Sequence, residues 1–411
     1  MFLGLGANAV LQAATFILLA RLLGVTEYGV FAGVSALVST VAPYSALGAQ
    51  MIFMRYVSAD RGSAPIYWGN TLAISAVTTV VLAVALGIAG QRLFGASVIG
   101  LVIVLVIANC FALQVTNSAS VVFQTFERLR PTAWLRTLRN VLRIAAIGGL
   151  MIYVHHATAF QCSIAILIAS ALAALLAVVW IGKTIGAIRF SPTLIFRRFW
   201  EGIGFAVAGS AQSVYNDIDK MMLSHYGMNA ANGIYTFAYR VADLATIPVN
   251  SIDSASLPRY FSLNKEGLTM VARMARKIVP IGILTGLACG AITLLASPLA
   301  VRVVGHGFAG ALPIFRWLCW LPAIRSVHQL AGGVLTATGL QNYRTAAQIV
   351  VAALNLGLNT LWIPSHGWLG AAWASLTSDG ALAALNLLLV LGVVIRHRRS
   401  ANLQLEGEPV K

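Results

Sequence analysis

The chain has 411 residues, 59% of them hydrophobic and 10% charged, where an ordinary soluble domain carries about 25% charged residues. A soluble core cannot hide that much apolar surface, so the natural solvent of this chain is a bilayer. The formal net charge of +16, from 28 Lys+Arg against 12 Asp+Glu, lies in short breaks between apolar runs and not on a basic soluble face, which argues against a nucleic-acid partner.

The opening stretch "MFLGLGANAV" has no basic segment before its apolar run, and "LLARLLG" is a poor cleavage site. It therefore reads as a first membrane span and not as a signal peptide. Its "GLGAN" has no strand before it and is no dinucleotide loop. A crossing helix needs about 20 mostly apolar residues. Twelve such spans are expected, at residues 2–23, 28–54, 66–90, 96–125, 132–154, 158–182, 200–226, 231–258, 276–304, 311–339, 343–363 and 368–395. The breaks between them are short, and no soluble domain is inserted. Cys110, Cys162, Cys289 and Cys319 are far apart in apolar runs, without metal or redox spacing, and read as small buried hydrophobes. No metal site is expected.

Basic residues mark cytoplasmic breaks. The even-numbered breaks hold Arg55 and Arg61, then Arg128, Arg130, Arg136 and Arg139, then Lys183, Arg189, Arg197 and Arg198, and so on to the C-terminal Arg396, Arg398, Arg399 and Lys411. The odd-numbered breaks hold Arg21, Arg92 and Arg302. This asymmetry predicts cytoplasmic termini and some affinity for anionic lipid headgroups. His155, His156, His225, His306 and His366 fall in the opposite breaks and read as polar loop residues.

The two halves resemble each other. "LLGVTEYGVFAGV" follows span 1 and "HYGMNAANGIYTFAY" follows span 7. Gly29 lies 26 residues before Arg55-Tyr56, and Gly233 lies 26 residues before Arg259-Tyr260. Pro43 and Pro248 each interrupt the intervening span. Three coincidences in register predict a duplicated six-helix unit: lobes at 1–190 and 191–400, a tail at 401–411, and a pseudo-two-fold axis along the membrane normal. Pro43 and Pro248 are hinge candidates because each removes a helical hydrogen bond.

In "YNDIDKMML" three ionisable groups stand inside a greasy helix. At 100° per residue, Ser210, Ser213, Asp217, Lys220 and Ser224 fall within about 80° of one another, and Arg240, Asp243, Asn250, Ser251 and Ser254 within about 100°. Charge in hydrocarbon costs several kcal/mol unless it meets partners or water. The stripes are therefore expected to face a cavity or each other. Asp217 and Arg240 are expected to meet across the hairpin, with Lys220 and Asp243 as alternative partners, and Asp219 points nearly the opposite way. Smaller polar faces carry Asn8, Gln12 and Thr15, then Asn109, Thr116 and Ser120, then Arg325, Gln329 and Thr336, then Gln348, Asn355 and Asn359. Interhelical hydrogen bonding accounts for most such amides. The intramembrane cations Arg143, Lys220, Arg240, Arg316 and Arg325 are matched by Asp217, Asp219, Asp243, Asp253 and Asp379, so the sequence shows no cationic cavity. Four guanidinium groups are nevertheless available, and their planar forks suit phosphate oxygens.

"LARLLGVTEYGVF", "NDIDKMMLSHYGMNAANGIYTFAYRVADL" and "LNLGLNTLWIPSHGWLGAAWASL" resemble Wzx-type polysaccharide flippases of the multidrug/oligosaccharidyl-lipid/polysaccharide exporter superfamily. The resemblance runs over nearly the whole chain and rests on order and spacing more than on one motif. It implies an all-α integral membrane protein of about twelve transmembrane helices in two six-helix lobes, set multi-pass in a bacterial inner membrane. It implies a non-enzymatic flippase that turns undecaprenyl-diphosphate-linked oligosaccharide from the cytoplasmic to the periplasmic leaflet by alternating access. The implied partners are that polyprenyl-linked cargo, membrane lipid, and the polymerase and chain-length proteins of polysaccharide assembly. The family's aspartate near the outer end of span 7 maps onto Asp217, and Arg240 and Arg325 are the best candidates to meet the diphosphate. No cofactor is implied; a coupling H+ or Na+ would use Asp217 or Asp243. Relatives usually carry a short basic segment before span 1, which this chain lacks. A drug or cation antiporter of the same superfamily is the nearest rival. Lipid II flippases usually carry two further helices. A prenyl transferase would use N-D-x-x-D near the cytoplasmic side, and "NDIDK" has the wrong spacing.

Overall fold

The computed structural model describes residues 2–265 and 267–406; the tail expected at 401–411 falls partly outside these residues. Among them the regular structure is helical. The helices in chain order are α1 (Phe2–Val41), α2 (Ala49–Val57), α3 (Ala64–Phe94), α4 (Ile99–Val106), α5 (Leu113–Thr125), α6 (Leu129–Tyr153), α7 (Ala159–Ile185), α8 (Pro192–His225), α9 (Asn229–Ala245), α10 (Ile247–Asn264), α11 (Leu268–Val304), α12 (Leu312–Leu318), α13 (Leu321–Ala337), α14 (Gln341–His366) and α15 (Trp368–Glu406).

Every expected span is occupied by one of these helices or by two in succession. Four spans are broken. Span 2 runs through α1, a 3-10 turn at Ala42–Ala46 and α2. Span 4 runs through α4, a π-helical stretch at Ile107–Ala112 and α5. Span 8 is α9 and α10, and span 10 is α12 and α13, bent by 46°. By length and composition alone, seven helical stretches qualify to cross a membrane, with the bent pair as an eighth. One of the seven, Val10–Val57, holds spans 1 and 2 together. The spans that do not qualify are 5, 7 and 8, in α6, α8 and α9–α10. They carry Arg139 and Arg143, Asp217, Asp219 and Lys220, and Arg240 and Asp243. Charge also stands in qualifying stretches, Arg316 and Arg325 in the bent pair and Asp379 in α15.

Both prolines singled out in the sequence sit at helix breaks. Pro43 lies in the first turn of the 3-10 segment that separates α1 from α2, and Pro248 lies in the first turn of α10. Proline is tolerated there because a first-turn N–H has no intrahelical partner.

Packing divides the chain at a different place from the repeat. One compact unit is Met1–Thr236 with Val303–Phe308, and the other is Phe237–Arg302 with Ala309–Lys411. The first keeps α8 and the start of α9 with α1. The lobes 1–190 and 191–400 describe likeness between halves of the sequence; the units describe contact.

The first unit is organised where α1 crosses α8 and α9. Gly24, at φ +66°, interrupts α1, and Gly227, at φ +75°, separates α8 from α9. Only glycine takes such values without strain. Five residues after Gly24 comes Gly29, and six after Gly227 comes Gly233. These two repeat-related glycines pack against each other's backbone. A Cβ on Gly29 would drive into the carbonyl of Asn229, one on Gly233 into the carbonyl of Val25, and one on Gly33 into Ser224. Small residues let helices approach closely where lipid supplies no hydrophobic drive between them. Asn232, fully buried, fastens the crossing: its Nδ2 donates to the Gly29 carbonyl, the Lys220 carbonyl and Ser224 Oγ, each at 2.9 Å. The second unit repeats the device on α11. Gly282, Gly286 and Gly290 line one face against Leu330, Ala323 and Cys319.

Gly29→Ala is therefore expected to lower the thermal midpoint of the purified protein, with an overpacking cost of about 1–3 kcal/mol. Gly87→Ala on α3, where a Cβ meets nothing within 4 Å, is expected to leave the midpoint in place or raise it slightly, since alanine is the better helix former. Thermal unfolding of both variants in one detergent checks the pair, and equal midpoints would contradict the crossing.

Candidate functional site

The charged spans yield three clusters, each within one compact unit. In the first unit, α8 turns its serine and aspartate stripe onto α1. Ser210 Oγ donates to the Thr40 carbonyl at 2.6 Å, Ser39 Oγ donates to Asp217 Oδ2 at 2.7 Å, and Ser224 Oγ donates to the Gly29 carbonyl at 3.1 Å. The stripe expected to face a cavity or span 8 is thus largely a seam with α1. Lys220, 2% exposed, stands at the centre of this seam. Its Nζ donates to Asp217 Oδ1 at 2.9 Å and to the Asn216 carbonyl at 2.5 Å, and lies 3.5 Å from Asp219 Oδ1. Asp219 also accepts from Tyr235 Oη of α9 at 2.5 Å. Asp217 keeps 19% of its side chain exposed, against 3% for Asp219. The outward-reaching carboxylate of the pair is therefore Asp217, held in place by the i,i+3 lysine and by Ser39.

In the second unit Arg325 is the hub. Its Nη1 donates to Asp243 Oδ1 at 2.8 Å, its Nε to Asp379 Oδ2 at 3.3 Å, and its Nη2 to Tyr239 Oη at 2.5 Å. The guanidinium also lies 5.2 Å from the centre of the Tyr239 ring, within cation–π reach. Asp379 is buried, and its Oδ1 lies 3.4 Å from Nε2 of His328. Asn386 Nδ2 donates to the His328 carbonyl at 3.0 Å and fastens α15 to α13. Arg240 makes a looser contact, Nη1 at 3.7 Å from Asp243 Oδ2, and keeps 49% of its side chain exposed; Asp243 keeps 32%. Arg325 is thus committed to two carboxylates and a phenol, whereas Arg240 keeps about half of its side chain exposed.

The third cluster is on α6. At 100° per residue Thr132, Arg136, Arg139 and Arg143 fall within about 60° of one another. Arg136 and Arg139, read from the sequence as part of an inner break, are helical. Arg139 Nη1 donates to Asn117 Oδ1 of α5 at 3.2 Å, and Arg143 Nη2 reaches Ser170 Oγ of α7 at 3.5 Å. Asn140, alongside, donates to Asn8 Oδ1 of α1 at 3.0 Å.

The remaining sequence candidates lie apart from these clusters or between two helices. Asn355 and Asn359 are buried between α14 and α15. Asn355 Nδ2 donates to Ser378 Oγ at 3.0 Å, and Asn359 Nδ2 donates to Asn355 Oδ1 at 2.9 Å. Asn250 is exposed in the first turn of α10. For Asp217 and Arg240 the contacts in place are with the alternative partners, Lys220 and Asp243. Residues passed over by the sequence reading are Ser39, Tyr235, Tyr239 and His328. Ser39 lies on a different helix from the stripe it completes, while Tyr235 and Tyr239 sit on the buried face of "GIYTFAYRVADL", where tyrosine reads as apolar filling. Four free cysteines stand singly, and no cluster of three His, Cys, Asp or Glu able to hold a metal occurs among the described residues.

Breaking the Lys220 cluster tests its coherence. Lys220→Met strands two carboxylates, one of them deeply buried, and removing one partner of a buried pair costs about 3–5 kcal/mol. Asp217→Asn leaves Lys220 beside Asp219 and is expected to cost less. Lys220→Met combined with Asp219→Asn is expected to recover part of the loss. Thermal midpoints in detergent rank the three, and Asp217→Asn as the most damaging would contradict the arrangement.

Solved structures share this fold. An inward-facing multidrug resistance MATE family transporter of the MOP superfamily superposes with a TM-score of 0.79 at 16% identity, covering 96% of this chain and 95% of that one. The outward-facing conformation gives 0.64 at 16% identity, covering 98% and 94%. A MOP superfamily transporter from Pyrococcus furiosus, described by a reversed polarity of its binding pocket, gives 0.64 at 13% identity over 94% and 93%. These likenesses establish the fold, an all-α multi-pass membrane protein of the MATE type. No curated protein matches the chain. A family model described as "Polysaccharide biosynthesis protein" matches residues 1–264, more than half the chain and including α1, α6 and the whole Lys220 cluster. The chain is a member of that polysaccharide biosynthesis protein family and shares its fold with those MOP superfamily transporters.

Proposed function

We propose that the protein is a flippase for undecaprenyl-diphosphate-linked oligosaccharide, carrying repeat units from the cytoplasmic to the periplasmic leaflet of a bacterial inner membrane by alternating access. The observation that carries this reading is the coincidence of polysaccharide-family membership with a transporter fold. A chain of that family built as a transporter has an obvious cargo class, the lipid-linked glycans from which polysaccharide is assembled. The protein does no bond chemistry in this reading. Its termini lie in the cytoplasm, following the basic breaks. The exposed members of the α9–α10 stripe, Arg240, Asp243 and Asn250, face the hydrated part of the cargo. Asp217, the less buried carboxylate of its cluster, and Asp243 are the groups available to a coupling proton or sodium ion. Lys220 and Arg325, already bonded within the fold, hold Asp217 and Asp243 in place, and Asn355 and Asn359 lie bonded between α14 and α15. Pro43 and Pro248 are the bending points, since the helices already end beside them.

A drug or cation antiporter is the second reading. The half-exposed Asp243 and the TM-score of 0.79 to a multidrug transporter favour it. Depletion of the protein from its host separates the two. The flippase reading expects one lipid-linked repeat unit to accumulate on the cytoplasmic side, measured by leaflet-resolved mass spectrometry of lipid extracts. Unchanged lipid-linked pools with altered tolerance to cationic drugs would favour the antiporter and overturn the flippase.

A further inference from the structure

The intramembrane cations are not all treated alike. Lys220 stands between Asp217 and Asp219, and Arg325 between Asp243 and Asp379. Arg139 and Arg143 have no carboxylate within ion-pair distance among the described residues; their partners are an amide oxygen at 3.2 Å and a hydroxyl at 3.5 Å. The Nε atoms of both are buried and make no hydrogen bond. At about 1.5 Å per residue, Arg136, Arg139 and Arg143 stand roughly 10, 15 and 21 Å along α6 from Leu129. They form a ladder that starts at the basic end of the helix, beside Arg128 and Arg130, and ends past the middle of a hydrocarbon layer about 30 Å thick. Exposure falls along it, from an exposed Arg136 to partly buried Arg139 and Arg143.

Three like charges at i, i+3 and i+7 on one helix face repel one another, and a charge in the membrane interior costs several kcal/mol unless it is met. Here one neutral acceptor for each of Arg139 and Arg143 repays only part of that cost. Two adjacent forks with unused N–H donors match an anion that offers several oxygens at once, as phosphate does in a bidentate pair. Asn117 and Ser170 meet the pair with neutral groups that leave its charge intact.

We infer that the Arg139–Arg143 face of α6, entered past Arg136, is a binding site for a phosphate-bearing group. Resting on the flippase reading, that group is the diphosphate of the cargo; the same oxygens could also come from an anionic lipid headgroup. The site differs from the Arg240 and Arg325 contacts expected from the sequence, because Arg325 is neutralised by two aspartates of its own unit.

The test uses the full-length protein in phosphatidylcholine nanodiscs with radiolabelled inorganic diphosphate as probe. Arg139→Gln and Arg143→Gln are each expected to weaken binding about tenfold or more, as for loss of a charged hydrogen bond. Arg302→Gln, at the far end of α11, is expected to leave it unchanged. If either glutamine variant fails to elute as a single species, the Arg139→Lys/Arg143→Lys double variant carries the test: charge without the fork binds, but severalfold more weakly. If diphosphate does not bind while phosphatidylglycerol nanodiscs raise the thermal midpoint of the wild type and not of Arg139→Gln/Arg143→Gln, the site stands and its occupant is lipid. Equal responses of wild type and glutamine variants to both probes, or no response of the wild type to either, would overturn it. Flipping of lipid-linked oligosaccharide in proteoliposomes is scored separately. Wild-type protein that binds diphosphate through Arg143 but moves no cargo sinks the flippase reading alone. Arg143→Gln protein that flips cargo and binds diphosphate like wild type sinks the site alone.

Discussion

Charge inside hydrocarbon has to be answered, and how each charge is answered organises this molecule. An ionised side chain taken out of water loses several kcal/mol of solvation, so its surroundings either repay that loss or leave it for a ligand. Lys220 is repaid by two aspartates, a carbonyl and, through Asp219, a tyrosine. Arg325 is repaid by two aspartates and a phenol. Arg139 and Arg143 receive one neutral acceptor each. The first two arrangements are scaffolding that fixes α8 and α13; the third is a surplus of positive charge.

Such scaffolding is consistent with motion elsewhere. The helices break at Pro43 and near Pro248, and tight glycine crossings hold the parts on either side together. A transporter needs stiff elements that carry bonded polar groups and a few positions that bend. Pairing Lys220 within its own helix fixes Asp217 on α8 by a contact that needs no other helix. The Asn232 clasp depends on backbone carbonyls of α1 and α8, so it holds only while those helices touch.

The architecture was largely legible in the sequence, because a bilayer leaves the chain little choice. Backbone groups without water must close into helices, and a length of about 20 apolar residues sets the spans. The repeat, with Gly29 and Gly233 in register, pointed to the positions that turn out to pack together. Partners were far less legible. A helical wheel gives the direction in which Asp217 points but not which helix waits there; α1 with Ser39 comes from 178 residues away. The wheel for span 8 assumed one rod, and the chain breaks it at Thr246 into α9 and α10. Counting five cations against five anions over the whole chain hid the local imbalance on α6, whose arginines meet an amide and a hydroxyl and no carboxylate within ion-pair distance among the described residues. Arg139 was lost for a simpler reason: basic residues near a span end read as topology signals.

The central claim is that Arg143, Arg240 and Asn250, on the charged helices, stand in contact with water and not with lipid. Accessibility to a cationic, membrane-impermeant methanethiosulfonate reagent tests it most directly, since that reagent reacts only with thiols in contact with water. In a background with Cys110, Cys162, Cys289 and Cys319 replaced by alanine, single cysteines at Arg143, Arg240 and Asn250 are compared with one at Leu295, an exposed leucine of α11. The account predicts rapid modification at the three polar positions and little at Leu295. Uniformly slow modification at all four would contradict it.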